Sequence, residues 1–159
     1  MSISSAVARL RVERAAGGTY TLADQGGAER ASMAISGIAA RAEIVHPDGL
    51  VIATRQGWGS VIAQPAAGET TMRLDPQNSH LFDGSPARWR IRGRWRSYEG
   101  ALLSEGRSMS FRLKPFSGRS CDIQVDGEWP ELGAVALVAC YALLVRRKRD
   151  QIIMVTAGH

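Results

Sequence analysis

Five arginines at alternate positions are the residues best placed to do chemistry in this chain: Arg88, Arg90, Arg92, Arg94 and Arg96. A β-strand sends successive side chains to opposite faces, so all five share one face, which we call the arginine face. One guanidinium group can donate two hydrogen bonds to the oxygens of one phosphate. Side chains two positions apart on a strand lie about 7 Å apart. The alternation therefore predicts a site for an anionic ligand, with several arginines contacting one phosphorylated group.

The same alternation also fits a simpler interpretation, a solvated outer face of a sheet. The arginine charges would then pair with Glu99, with Glu105 or with acids of neighbouring strands, and such surface pairs contribute little to stability. The intervening Trp89, Ile91 and Trp95 would lie on the opposite face, in the core. The sequence leaves both interpretations of the arginine face open.

A second basic cluster, Arg146-Arg147-Lys148-Arg149, follows an apolar segment. It would bind acidic lipid, act as a nuclear localisation signal, or complement the negative end of a helix that stops there. Trp58, between two glycines, is a candidate for either an exposed aromatic or a core residue.

Signals for catalysis are weak. The histidines His46, His80 and His159 lack the spacing of a metal site, and Cys121 and Cys140 do not form a zinc-binding pair. There is no nucleophile elbow, phosphate-binding loop or dinucleotide fingerprint. The sequence therefore predicts a protein that is not an enzyme and that uses no metal or cofactor.

Composition favours a single domain over residues 1–159, with 45% hydrophobic residues and a formal net charge of +5. A positive charge favours anionic partners such as membrane surfaces, nucleic acid or acidic proteins. The first ten residues lack the continuous apolar run of a secretion signal, and two cysteines are too few for a disulfide framework. We expect a cytoplasmic protein, with peripheral attachment to a membrane as an option.

Residues 132–145 form an uncharged apolar run that would be about 21 Å long as a helix. A bilayer core is about 30 Å thick, so the run is short for a membrane span. Because it is apolar on every face, it needs an apolar surround on every side. We expect a buried helix at about 129–147, ended by the basic cluster. A lipid anchor is the alternative.

The remainder of the chain has the pattern of many short strands. A hairpin is predicted around Pro47-Asp48-Gly49, between apolar runs at 42–45 and 50–54. Further strands are expected at 98–103, 109–113 and 120–125, with loop residues at 75–87 and a possible short β-segment at 152–155. The predicted fold class is mainly β: a closed antiparallel β-barrel with a buried hydrophobic C-terminal α-helix.

Two segments resemble the tubby C-terminal-like superfamily, which includes LURP-one-related proteins and phospholipid scramblases. One is Asp122-Ile123-Gln124-Val125-Asp126 leading into the apolar run, and the other is Trp89-Arg90-Ile91-Arg92-Gly93. The resemblance implies a barrel of about a dozen strands threaded by the C-terminal helix, and binding of lipid or phosphoinositide without catalysis. The tubby phosphoinositide site and the scramblase calcium segment have no recognisable counterpart in this chain.

The leading functional prediction is a binding module for anionic phospholipid or phosphoinositide headgroups at a membrane surface. The alternatives are a single-pass membrane protein, a protein-interaction adaptor and a nucleic-acid binder. Nucleic acid is disfavoured because the alternation puts Trp89 and Trp95 opposite the arginines, away from any charged groove. The oligomeric state is left open.

Overall fold

The structure is a computed structural model that describes residues 8–66, 68, 70–94, 97–114 and 120–157. Trp95, Arg96 and His159 lie outside the described residues, as do the side chains of Arg94, Thr156 and Ala157. The elements are β1 Ala8–Arg14, β2 Thr19–Asp24, β3 Glu29–Ser36, β4 Arg41–His46, β5 Gly49–Gln56, β6 Ser60–Pro65, β7 Met72–Leu74, β8 Ser79–His80, β9 Pro86–Arg94, β10 Ser97–Ser104, β11 Arg107–Leu113, β12 Ser120–Asp126 and the helix α1 Leu132–Ala157.

The strands form one closed antiparallel barrel in which each strand pairs with its neighbours in the chain. The first and last strands close it, with Leu10 of β1 opposite Ile123 of β12. A closed barrel leaves no free sheet edge except where a strand is short. The predicted fold class is therefore confirmed.

Local sequence patterns account for most of the wall. The predicted hairpin is present as β4 and β5, with His46 opposite Gly49 at the turn. Within β3 and β5 buried residues alternate with exposed ones, as expected for strands with one face in a core. The segment 75–87, predicted as loop, contains the two-residue strand β8 and the first residues of β9.

Helix α1 runs through the barrel and fills its interior. Every residue from 134 to 145 is buried, and contacts reach β3, β4, β5, β6, β10 and β11. Gly133 lets the helix start close to the wall, because a Cβ there would lie 3.3 Å from the Cβ of Ala31. The apolar run is thus surrounded by protein, as predicted.

The helix is longer than the sequence predicted. It begins at Leu132 and continues to Ala157, whereas the prediction ended it at about 147 and allowed a β-segment at 152–155, which is wrong. Residues 146–157 contain neither glycine nor proline, so nothing in that segment stops a helix. The basic cluster consequently lies within the helix and does not cap it.

The barrel has two distinct ends. We call exit end the one from which the helix emerges after Val145; the turns β1–β2, β3–β4, β5–β6 and β7–β8 lie there. The opposite end, near Gly133, is the entry end and carries the β10–β11 turn. Strand β9 runs from the entry end toward the exit end, so Arg92 lies nearer the exit end than Arg88.

Candidate anionic-ligand site

Strand β9 sorts its side chains as the alternation predicted. Arg88, Arg90 and Arg92 are exposed on the outside of the barrel, while Trp89 is buried and Ile91 is half-buried. The ring of Trp89 packs edge-on against the ring of Phe111, with centroids 5.8 Å apart. The described part of the arginine face is therefore an outer surface backed by an aromatic core.

A row of alternating charges crosses the barrel wall from Arg92. In strand register, Arg92 faces Glu99, Glu99 faces Arg112, Arg112 faces Asp122, and Asp122 faces Arg11. The Arg11 guanidinium donates a hydrogen bond from Nε to Asp122 at 2.9 Å, and this carboxylate raises the pKa of Arg11. Acidic residues on adjacent strands thus offset part of the charge near Arg92, as the simpler interpretation expected.

Arg88 and Arg90 have a different setting. Across the pair with β10, Arg90 faces Ala101 and Arg88 faces Leu103, so no acid stands opposite either arginine on that strand. Like charges on one strand repel unless a counter-charge is close. Among the β9 arginines whose side chains the structure describes, Arg88 and Arg90 therefore lack the acidic partner on β10 that Arg92 has in Glu99.

The other edge of β9 opens onto a crevice. Among the described residues, β8 pairs with β9 at Ser79–Ala87 and His80–Pro86. This strand pairing ends before Arg88. A cavity of about 1580 Å³ is lined on one side by Leu74 of β7 and on the other by Arg90 of β9, and it extends over the outer wall. Part of its lining combines apolar groups with cations: Trp58, Val61, Leu74, Ile91, Val145, Arg90, Arg92, Arg146 and Arg149.

Helix α1 brings part of the basic cluster to the same crevice. Arg146 lies 3.5 Å and Arg149 lies 3.2 Å from the carboxylate of Asp150, which also accepts a 2.9 Å hydrogen bond from the hydroxyl of Tyr98. Burial and this carboxylate raise the pKa of Tyr98. Asp150 therefore holds the two helix arginines at the barrel rim while leaving their combined charge positive.

Trp58 closes one side of the crevice beneath a cation that the sequence analysis did not single out. The guanidinium of Arg55 lies 3.9 Å from the centre of the Trp58 ring and donates a 2.8 Å hydrogen bond to the carbonyl of Gly57. Trp58 is half-buried and packs against the core. The sequence spacing of Arg55 and Trp58 does not predict this contact, because the contact depends on the conformation of the β5–β6 turn.

The structure does not bring the weaker catalytic candidates together. His46 is on β4 and His80 is on β8, with three strands of the barrel between them. Asp122 and Asp126, which a hydrolytic acid pair would require side by side, are four residues apart on one strand, about 13 Å by strand geometry. Among the residues that the structure describes, no group of His, Cys, Asp or Glu side chains could hold a metal ion.

Comparisons with protein-family models, with curated proteins and with solved structures give no match to this chain. The barrel with its threaded helix has the architecture that the resemblance to the tubby superfamily implied, but membership of that superfamily stays a prediction. Within the described residues, no helix is both long and apolar enough to cross a bilayer.

Proposed function

We propose that this protein is a binding module for anionic phospholipid headgroups at a membrane surface and that it acts without catalysis. One observation carries the proposal: Arg90 and Arg92 of the wall and Arg146 and Arg149 of the helix line the same open cavity, whose wider lining also includes the acids Glu13, Asp24, Glu99 and Asp122. A strand and the helix both contribute arginines to this cavity. An arginine face that was only solvated would not need the second contribution.

The chemistry of these side chains suits phosphate. A guanidinium keeps its charge at all physiological pH values and presents a planar fork of donors to phosphate oxygens. Arg90 and Arg92 are exposed, so a headgroup would reach them without displacing the core. Among anionic lipids, only the family resemblance favours phosphoinositides as the ligand.

Charge reversal on β9 tests the proposal. We expect Arg90→Glu with Arg92→Glu to reduce binding to phosphatidylserine-containing vesicles by about tenfold or more, because each cation near an anionic surface contributes about 1 kcal/mol. Vesicle co-sedimentation measures the bound fraction. Calorimetry with a soluble inositol phosphate measures headgroup binding separately from the membrane.

A matched control is available on the opposite wall. Arg30 is exposed at the start of β3, at the entry end of the barrel, and β3 lies six strands from β9 around the barrel. Arg30→Glu changes the net charge by the same amount as Arg90→Glu alone and should leave most of the binding intact. Equal losses in these two single variants would reduce the effect to net charge, and unchanged binding in the β9 double variant would remove the arginine face from the account.

A further inference from the structure

The last part of helix α1 stands outside the barrel with its apolar side chains in solvent. Ile152, Ile153, Met154 and Val155 are 39%, 53%, 74% and 67% exposed. We call these four residues the apolar tip. Scattered exposed apolar residues are ordinary, but four in succession at the end of a projecting helix indicate a contact surface. Ile38, in the turn between β3 and β4 at the same end of the barrel, is 60% exposed.

A ring of cations separates the apolar tip from the barrel. This ring, which we call the basic collar, is the basic cluster of the sequence: Arg146, Arg147, Lys148 and Arg149. Asp150 is the one acid that follows it. The centre of this basic collar precedes the centre of the apolar tip by six residues, or about 9 Å along a helix axis. Apolar segments at membrane surfaces lie about 5–10 Å deep, at the boundary between headgroups and acyl chains.

We propose that the apolar tip inserts into the outer part of an anionic bilayer while the basic collar contacts its headgroups. This inference rests on the proposed function and adds how the protein sits on the membrane. The exit end faces the lipid, and Arg146 and Arg149 of the basic collar also line the crevice. Stable attachment to a membrane generally needs two signals, and an apolar segment combined with a basic patch provides both.

The apolar tip could be covered by lipid or by a second copy of this chain, and the charge of the basic collar favours lipid. Two copies packed tip to tip would bring two basic collars together, and like charges oppose that approach. An anionic lipid surface compensates the same charges. The collar also limits depth, because residues 146–149 would have to leave water for the helix to go further.

A probe on the tip tests insertion directly. We would replace Met154→Cys and label it with an environment-sensitive fluorophore; the native Cys121 and Cys140 are each 1% exposed and stay unlabelled. Glu105→Cys, in the exposed β10–β11 turn at the entry end, is the matched control. With phosphatidylserine vesicles we expect a blue shift, and quenching by a lipid-borne quencher, for the label at position 154 and not for the label at position 105.

A second variant separates insertion from headgroup binding. Ile153→Ser with Met154→Ser keeps the net charge, and it should lower vesicle binding about tenfold or more while leaving binding of a soluble inositol phosphate unchanged. If the protein sediments with vesicles but the label at position 154 stays aqueous, insertion is overturned and the proposed function stands. If neither vesicles nor the soluble headgroup bind, the proposed function fails and insertion fails with it. A blue shift without lipid that grows with protein concentration would show a second copy on the tip and overturn the lipid assignment.

Discussion

Single residues inside the barrel show how tightly the helix is held. The Tyr141 hydroxyl, fully buried on the helix, donates a 2.6 Å hydrogen bond to the carbonyl of Ala39 in the β3–β4 turn. Burial raises the pKa of Tyr141 to about 12 from its ordinary 10.0. A phenol that is harder to ionise in the folded state stabilises the fold fully below the unfolded pKa and loses that effect as pH rises.

Alkaline unfolding tests this contact. Between about pH 10 and pH 12 we expect the free energy of unfolding to fall, because the unfolded state ionises Tyr141 before the folded state does. Tyr141→Phe should weaken that pH dependence and cost about 1–3 kcal/mol at neutral pH, since the Ala39 carbonyl would lose its partner. Tyr20 and Tyr98 retain raised pKa values, so part of the slope remains. An equal fall in the free energy of unfolding between about pH 10 and pH 12 in both proteins, measured by denaturant melts, would contradict the assignment.

The two cysteines give a second prediction at the same scale. Cys121 on β12 and Cys140 on the helix are both buried, and the neighbouring Cys140 thiol together with burial raises the pKa of Cys121. A thiol that is both protonated and enclosed reacts slowly. We expect neither cysteine to be alkylated in the native protein and both to be alkylated in denaturant, as mass spectrometry would show. Rapid native labelling would mean that the helix leaves the barrel.

Among the elements, helix α1 has two parts with different roles. Residues 134–145 fill the core, and residues 151–155 are exposed. The first part was predictable from the sequence because a run without charge or polar face has to be enclosed. The second part was not, because local helix preference continues through the basic cluster while the tertiary surround ends at Val145. Composition alone does not reveal where a barrel stops.

One pair of truncations distinguishes the two parts. Leu137 is fully buried and Ile153 is 53% exposed on the same helix. Leu137→Ala should cost about 2–5 kcal/mol, because it removes core contacts and leaves a cavity. Ile153→Ala should change stability by about 0.5 kcal/mol or less. Similar losses from both changes, measured by chemical denaturation, would mean that the tip is packed against the body in solution.

In the barrel wall, the pattern within one strand was predictable from the sequence, but the contacts between strands were not. Alternation along β9 was enough to predict that Arg90 points outward and Trp89 inward. It did not reveal the charged row from Arg92 to Arg11, since that row exists only in the register of five strands. Nor did it reveal the crevice, which forms because β8 is only two residues long. The candidate residues on β9 and in the basic cluster were therefore predictable, but the position of Arg146 and Arg149 in the same cavity as Arg90 and Arg92 was not.

Across the whole molecule, the helix fills the closed barrel, and its basic collar gathers positive charge at the exit end. The net charge of +5 is modest, so its distribution matters more than its size. The basic collar lies at the exit end, and the crevice brings Arg90 and Arg92 of the wall together with Arg146 and Arg149 of that collar. Such an arrangement is expected to bind through electrostatic attraction that dissolved salt weakens.

The most direct measurement of the central claim is vesicle binding by the full chain as salt and lipid charge are varied. The screening length falls from about 10 Å at 0.1 M salt to about 3 Å at 1 M. We predict tight co-sedimentation with phosphatidylserine-containing vesicles at low salt, a loss of at least about tenfold across that range, and little binding to pure phosphatidylcholine. Binding that is the same on neutral and anionic vesicles, or that does not change with salt, would contradict the claim.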